Sequence, residues 1–214
     1  MKNILLIAFV GVLSFTNIKA YSQKYFFVFH LYKNAQNRKV QGAGYIMRYT
    51  DKGKIKVIAK YPVTYGINGY GKKKYKDRKT PIGKYKVRKV GKIYRDKTRY
   101  GTWNLSLNYP HGLDKRAKKT GSGIAIHGGR VSGTYGCVRV LDGSFKYPKP
   151  GRKNIAVFAK YSRVGTPVFI SHSIPKGLLG NSGTYLSSRA SKYWKEMQKY
   201  GYTEGGLVRR LKSF

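Results

Sequence analysis

Residues 124–141, IAIHGGRVSGTYGCVRVL, constrain the fold more than any other part of the chain. Two short apolar alternations flank a glycine-rich loop, a pattern that predicts two β-strands. Successive side chains of a strand point to opposite faces of its sheet. One face therefore carries the isoleucines and valines, and the other carries His127, Cys137 and Arg139. Because the loop is short, we expect these three side chains to converge on one exposed cleft.

These are the residue types that catalysis by a thiol nucleophile requires. A thiol, with a reference pKa of about 8.5, is weakly ionised at neutral pH. An adjacent imidazole such as His127 can accept the proton of Cys137, and the charge of Arg139 favours the thiolate. Gly136 lets the backbone turn sharply, so that amides beside the cysteine could bind a developing oxyanion. The alternative is a small core cysteine and a packed histidine that never react.

The same segment resembles the active-site signature of bacterial L,D-transpeptidases: Ile-His-Gly, a variable loop, Ser/Thr-x-Gly-Cys, a hydrophobic residue and Arg. The matching positions are Ile126, His127, Gly128, Thr134, Tyr135, Gly136, Cys137, Val138 and Arg139. Residues 80–85 (TPIGKY), 107–110 (LNYP) with Asp114, and 165–168 (GTPV) resemble further segments of the family. All of these occur in the family's order between residues 60 and 170, so the resemblance is far more specific than an isolated Gly-Cys pair.

Two features depart from the usual pattern of this family. Most members carry a second histidine directly before the Gly-Cys pair, where this chain has Tyr135. The loop from His127 to Cys137 is also shorter than in the commonest subgroup. The Cys-His pair is retained, so the departures concern the subgroup and the exact reaction.

The resemblance implies a mainly β fold, sandwich-like or barrel-like, with the active site on one rim. It implies an exported cysteine acyltransferase that acts on peptidoglycan stem peptides, with Cys137 as nucleophile and His127 as general base. Arg139 would stabilise the thiolate or hold a substrate carboxylate, and backbone amides near Gly136 and Cys137 would bind the oxyanion. The remaining motif positions are candidate substrate contacts: Gly128, Thr134 and Tyr135. No metal or organic cofactor is implied.

Other functions remain open at this point. An L,D-carboxypeptidase or related peptidase would resolve the same thioacyl intermediate with water. A non-catalytic envelope-binding protein would rely on basic surface and would not need Cys137. A nucleic-acid-binding protein would show salt-dependent binding to duplex DNA. The sequence has no zinc-ligand spacing, helix-turn-helix pattern or RNA-binding signature, so we expect no specific nucleic-acid partner.

The charge of the chain indicates an anionic partner. Lysine and arginine number 45 against 7 aspartates and glutamates, which gives a formal net charge of +38. Such a surface attracts polyanions, and acidic envelope polymers are the candidates that suit an exported protein. The alternative is a basic surface that only interacts with solvent.

Both ends of the chain differ in composition from the middle. Residues 1–20 are typical of a secretory signal peptide with a cleavage site at Ala20, and an uncleaved anchor is the alternative. Export to the periplasm or cell envelope follows, and a lone thiol there favours a working nucleophile. Residues 21–171 form the predicted catalytic domain. Residues 172–214 form a basic tail with one predicted helix, which either packs on the domain or binds an acidic partner.

Between these ends, alternation predicts a series of strands. They cover residues 25–32, 43–49, 54–61, 82–90, 102–109 and 165–171. Residues 50–53 predict a hairpin turn, and residues 154–161 fit either a strand or a short helix. The lysine-rich loop at residues 66–79 lacks the spacing of a phosphate-binding loop. His30 is predicted to be packed, and His111 to face solvent.

Overall fold

The computed structural model describes residues 25–50, 55–111 and 118–172. The predicted signal segment, the hairpin turn after Thr50 and nearly all of the tail lie outside these residues. Within them the strands are β1 (Tyr25–Leu31), β2 (Gly42–Tyr49), β3 (Ile55–Thr64), β4 (Gly83–Lys92), β5 (Trp103–Leu107), β6 (Ala125–His127), β7 (Val138–Val140), β8 (Asp142–Gly143), β9 (Pro148–Lys149) and β10 (Pro167–Ser171). The helices are α1 (Lys97–Tyr100) and α2 (Lys153–Lys160).

Eight of these strands form a closed barrel. Their order around it is β1, β10, β4, β5, β6, β7, β3, β2, so β10 closes the barrel between β1 and β4. The pairs β1–β10 and β6–β7 are parallel, and the other pairs are antiparallel. Strands β8 and β9 form a separate two-stranded sheet. The predicted mainly β fold is therefore confirmed in its barrel form.

Strand β1 shows why the sequence folds into a closed sheet. Its run YFFVFHL is apolar at nearly every position, which is typical of a strand that is buried on both faces. Phe27 and Phe29 belong to the core inside the barrel. Phe26 and Val28 belong to a second apolar cluster on the other face of the sheet.

Helix α2 contributes the central aromatic residue of the core. The ring of Phe158 lies 4.9 Å from that of Phe27 and 5.5 Å from that of Phe29, measured between centroids. The carboxylate of Asp142 accepts hydrogen bonds from three backbone N–H groups at the start of this helix, those of Arg152, Lys153 and Asn154. Such a carboxylate satisfies N–H groups that have no partner within the helix, and it complements the helix dipole. The segment predicted as a strand or a short helix, residues 154–161, is thus helical as far as Lys160.

The other strand predictions agree with the structure to within three residues at each end, and the predicted hairpin is the antiparallel pair β2–β3. His30 is buried and packs edge-on against Tyr32, as predicted. The expectation that His111 faces solvent was wrong. Its Nε2 lies 2.8 Å from the carbonyl oxygen of Lys84, and its ring packs against Tyr85. Neither described helix is long and apolar enough to cross a membrane.

Candidate active site

Strands β6 and β7 place the predicted site residues on one face of the barrel wall. The strands pair in parallel, with His127 opposite Arg139 and Ile126 opposite Val138. Ile126 and Val138 point into the barrel core, so His127 and Arg139 lie on the outer face. Cys137 precedes β7 and shares that face by alternation. With a rise of about 3.3 Å per residue and a strand spacing of about 4.8 Å, its Cα lies roughly 8 Å from that of His127.

The imidazole of His127 is fixed in one tautomer. Its Nδ1 lies 2.7 Å from the carbonyl oxygen of Gly128. A carbonyl only accepts hydrogen bonds, so Nδ1 carries the proton of the neutral ring and Nε2 keeps its lone pair. The backbone N–H of Gly128 donates in turn to the carbonyl of Tyr100, whose ring contacts the imidazole edge-on. The base is therefore oriented by its own neighbour in the chain and by helix α1.

His127 is also neutral well below neutral pH. Its side chain is only 3% exposed. Burial lowers the pKa of His127 to about 4, and the charges of Arg139 and Arg99 act in the same direction against the bond to Gly128. An imidazole with this pKa is available as a proton acceptor throughout the neutral range.

The thiol of Cys137 rests in its protonated form. Burial raises the pKa of Cys137, and the backbone N–H of Ala125 with the charges of Arg139 and Lys72 only partly opposes this. The Sγ donates to the carbonyl of Gly123 at 3.5 Å. No hydrogen bond between Cys137 and His127 is present among the described residues, so proton transfer requires the thiol to turn from Gly123 towards the imidazole. Catalytic hydrogen bonds commonly tighten only when substrate is bound.

The turn before Cys137 requires glycine at position 136. Gly136 has φ +127°, and a Cβ there would lie 2.9 Å from the carbonyl oxygen of Lys79. The Thr134 hydroxyl donates to the carbonyl of Cys137 and accepts from the N–H of Gly136. Of the two amides in the predicted oxyanion hole, that of Gly136 is therefore engaged within the turn, and the role of the Cys137 amide stays a prediction.

Arg139 holds the loop that joins the two strands. Its guanidinium is buried, and Nη1 donates to the carbonyls of Arg130, Ser132 and Gly133 and to the Ser132 hydroxyl. This nitrogen is therefore engaged by the protein itself. The positive charge still favours a neutral His127 and an ionised Cys137, and a contact with a substrate carboxylate stays a prediction.

Of the three predicted substrate contacts, Tyr135 alone has an exposed side chain. Thr134 is buried, and Gly128 packs so closely against Gly151 that a Cβ would lie 2.0 Å from its carbonyl oxygen. The ring of Tyr135 is 67% exposed, and the guanidinium of Arg78 lies 4.9 Å from its centroid. Direct contact of substrate with Tyr135 stays a prediction, whereas the other two residues have structural contacts that explain their identity.

Sequence reasoning missed several residues around the site. Tyr100 and Arg99 come from α1, a four-residue helix that no periodic pattern announces. Lys72 belongs to a lysine run whose members look alike in sequence, yet it is buried and ion-paired with Asp77 at 2.6 Å. Thr80 stood within a recognised block, and its hydroxyl contacts the Cys137 carbonyl at 3.4 Å. Of these residues, only Thr80 lies in a segment whose resemblance to the family could have identified it.

No group of three His, Cys, Asp or Glu side chains in the described ranges could hold a metal ion. The fold and site define the protein as a β-barrel with a Cys-His pair on the outer face of two parallel strands. The family model for the L,D-transpeptidase catalytic domain, YkuD, matches residues 39–170. The chain therefore belongs to this family, and the resemblance seen in the motifs is confirmed.

Two solved structures share the fold. Bd1075 from Bdellovibrio bacteriovorus aligns with a TM-score of 0.53 and 22% identity over 83% of this chain and 56% of its own. Pgp2 from Campylobacter jejuni, a helical cell shape determining protein, aligns with a TM-score of 0.51 and 22% identity over 85% of this chain and 59% of its own. This chain thus spans less than two thirds of either protein. No curated protein sequence matches it significantly.

Proposed function

We propose that this protein is an exported L,D-transpeptidase that cross-links peptidoglycan stem peptides through a thioacyl-enzyme intermediate. Membership of the family supports the substrate class. The observation that carries the proposal is the tautomer of His127, whose Nδ1 proton is committed to Gly128, so that Nε2 is the basic nitrogen on the face of Cys137.

The reaction follows from these two groups. As Sγ of Cys137 attacks the carbonyl carbon of an L-residue joined to a D-residue, Nε2 of His127 accepts the thiol proton. The carbonyl oxygen becomes an oxyanion beside the Cys137 amide. The intermediate then collapses, the C–N bond breaks, and the imidazolium returns its proton to the departing amine of the D-residue. An amine from a second stem attacks the thioester by the reverse steps, which regenerates the thiol and leaves an amide cross-link.

The pKa directions fit this order of events. A resting thiol and a resting neutral imidazole mean that the proton moves during attack, rather than being transferred beforehand to give a stored ion pair. No thiolate–imidazolium pair then has to form in the buried site before substrate is attacked.

Mass spectrometry of purified stem peptides incubated with the protein tests the proposal. We expect a thioester adduct on Cys137, then a dimeric peptide with loss of the terminal D-residue, and neither product with Cys137→Ser. His127→Ala should slow acylation on the order of a hundredfold or more, the usual scale for a general base. His111→Ala, with its histidine outside the site, is the control. A shortened monomer without dimer would assign an L,D-carboxypeptidase, and unchanged products from Cys137→Ser would refute both.

A further inference from the structure

The described carboxylates are all engaged by Lys72 or by backbone N–H groups, and none of them forms an ion pair with an arginine side chain. Asp77 pairs with Lys72, and Asp96 and Asp142 accept backbone N–H groups at the starts of α1 and α2. The Lys72–Asp77 contact is the ion pair that the described residues contain. An anionic partner for an arginine side chain at the rim of the site must therefore come from a ligand or from outside the described part of the chain.

Arg78 is the arginine that stands at this rim on the cysteine side. Its guanidinium lies over the ring of Tyr135, and both side chains are exposed. Tyr135 precedes the nucleophile by two residues. A guanidinium that lies over an aromatic ring interacts through its charge with the ring face, and its planar set of N–H groups can still donate two parallel hydrogen bonds to a carboxylate.

The backbone of Arg78 is held from both sides. Its carbonyl accepts the N–H of Asn68 at 3.3 Å, and the following residue, Lys79, lies against Gly136. The preceding Asp77 accepts four hydrogen bonds, from the ammonium of Lys72 and from the backbone N–H groups of Lys73, Lys74 and Lys79. The origin of the Arg78 side chain is thus fixed relative to the turn that carries Cys137.

The conformation of Arg78 gives a second, independent indication. Its φ is +54°, in the left-handed region that favours glycine or asparagine. A long side chain at such a position costs backbone strain, and strained residues concentrate at functional sites. Lys76 in the same loop shares this strain with φ +59°, and of the two residues it is Arg78 whose guanidinium lies over Tyr135 at the rim of the site.

We propose that Arg78, which lies over Tyr135, forms a carboxylate-binding site that selects stem peptides with a free carboxylate near the scissile bond over their amidated forms. This inference rests on the proposed function for the identity of the ligand. The carboxylate binds in the plane of the guanidinium, and the tyrosine ring limits the directions that the guanidinium can adopt. Arg78 is then a specificity-determining residue, and it takes no part in proton transfer.

Binding of two fluorescent stem peptides, one with free carboxylates and one fully amidated, tests the site in the Cys137→Ser background. We expect the free-carboxylate peptide to bind about tenfold or more tightly, in line with a charge-assisted bidentate pair. Arg78→Gln should abolish this preference and leave the amidated peptide's affinity within about twofold. Arg88→Gln, which removes the same charge from an exposed position on β4, is the matched control.

Kinetics and a conservative variant extend the test. In the otherwise unaltered enzyme, Arg78→Gln should raise KM for the free-carboxylate peptide with little change in kcat, because it removes binding and not chemistry. Tyr135→Phe should retain the preference and Tyr135→Leu should weaken it. The inference is overturned if the parent binds both peptides equally, or if Arg88→Gln loses the preference as fully as Arg78→Gln does. Neither result contradicts the proposed transpeptidase activity. A preference that depends on Arg78 without turnover of either peptide would instead overturn the proposed function alone.

Discussion

The catalysis proposed for Cys137 requires a base that is neutral before substrate arrives. His127 meets this condition because burial and two guanidinium groups, those of Arg139 and Arg99, disfavour its protonated form. The tautomer is set by another group, because the Nδ1–H of His127 donates to the Gly128 carbonyl. Charge and tautomer are thus controlled by different neighbours, and each can be changed separately.

The pH dependence of acylation should report this environment. The pKa of His127 is about 4 in the folded protein against an ordinary value of 6.5. Activity should therefore persist through pH 6 and fall only as the pH approaches 4. Arg99→Gln should move this acid limb upwards, because one of the charges that disfavour the imidazolium is removed. Profiles of kcat/KM against pH for both proteins provide the measurement, and an acid limb near 6.5 in the parent would contradict it.

Stability should follow the same group in the same direction. Between pH 6.5 and about 4 the unfolded chain binds a proton at His127 that the folded protein does not, so the free energy of unfolding should decrease as the pH falls through this range. His127→Gln, which does not titrate, should show a smaller decrease. Denaturant unfolding at several pH values measures this decrease in the parent and in His127→Gln.

For single residues, the sequence predicted which side chains belong to the candidate site better than it predicted their contacts. The motif located His127 and Cys137, and alternation assigned their common face. It could not show that Arg139 holds loop carbonyls or that Tyr100 packs on the imidazole. Those contacts join positions whose separation in sequence follows no period.

The loop at residues 71–79 is the element that connects the basic surface to the site. The loop has no regular secondary structure, and its backbone is held by hydrogen bonds to the carboxylate of Asp77. Burial alone would raise the pKa of Asp77, but the Lys72 ammonium and the backbone N–H groups outweigh it and lower that pKa to about 2. The loop is therefore held by a charge that must stay ionised.

Asp77→Asn should destabilise the protein at neutral pH by about 2 kcal/mol, since a pKa difference of this size corresponds to about 1.4 kcal/mol per unit. Because the folded pKa is depressed, the contribution is present above pH 4 and is lost as the pH falls from about 4 to 2. The difference between variant and parent in denaturant unfolding should shrink over that range. Asp96→Asn, at the exposed four-residue helix, is the control and should cost less. A constant difference down to pH 2 would exclude the ionised carboxylate as the cause.

The strands were predicted from local signals, whereas the pairing between strands that are distant in sequence was not. Alternating strands and the β2–β3 hairpin follow from neighbouring residues. The parallel pairing of β1 with β10 closes the barrel through residues about 140 positions apart, as in the register of Phe27 with Val168. Helix α2 was ambiguous because its apolar residues fit either period, and the Asp142 carboxylate that begins it lies ten residues upstream in sequence.

The described part of the molecule combines an apolar barrel with a predominantly basic surface. The described carboxylates are turned to internal hydrogen bonds, so they do little to interrupt the field of the lysines and arginines. A field of this sign raises the local concentration of polyanions and their encounter rate with the protein. The attraction acts over a long range and weakens as salt is added, whereas the chemistry proposed at Cys137 involves only neighbouring groups.

We expect this difference in range to separate binding from turnover. Sedimentation of the protein with isolated anionic cell-wall material should fall steeply between low and physiological salt, since exposed charges are screened beyond about 8–10 Å. Turnover of an amidated, uncharged stem peptide should change little over the same salt range, because proton transfer between Cys137 and His127 involves no long-range field. Arg78→Gln, which removes one of 45 basic side chains, should sediment like the parent. Sedimentation that ignores salt would mean that the basic surface interacts only with solvent, and loss of sedimentation in Arg78→Gln would mean that one rim site, rather than the whole field, holds the polymer.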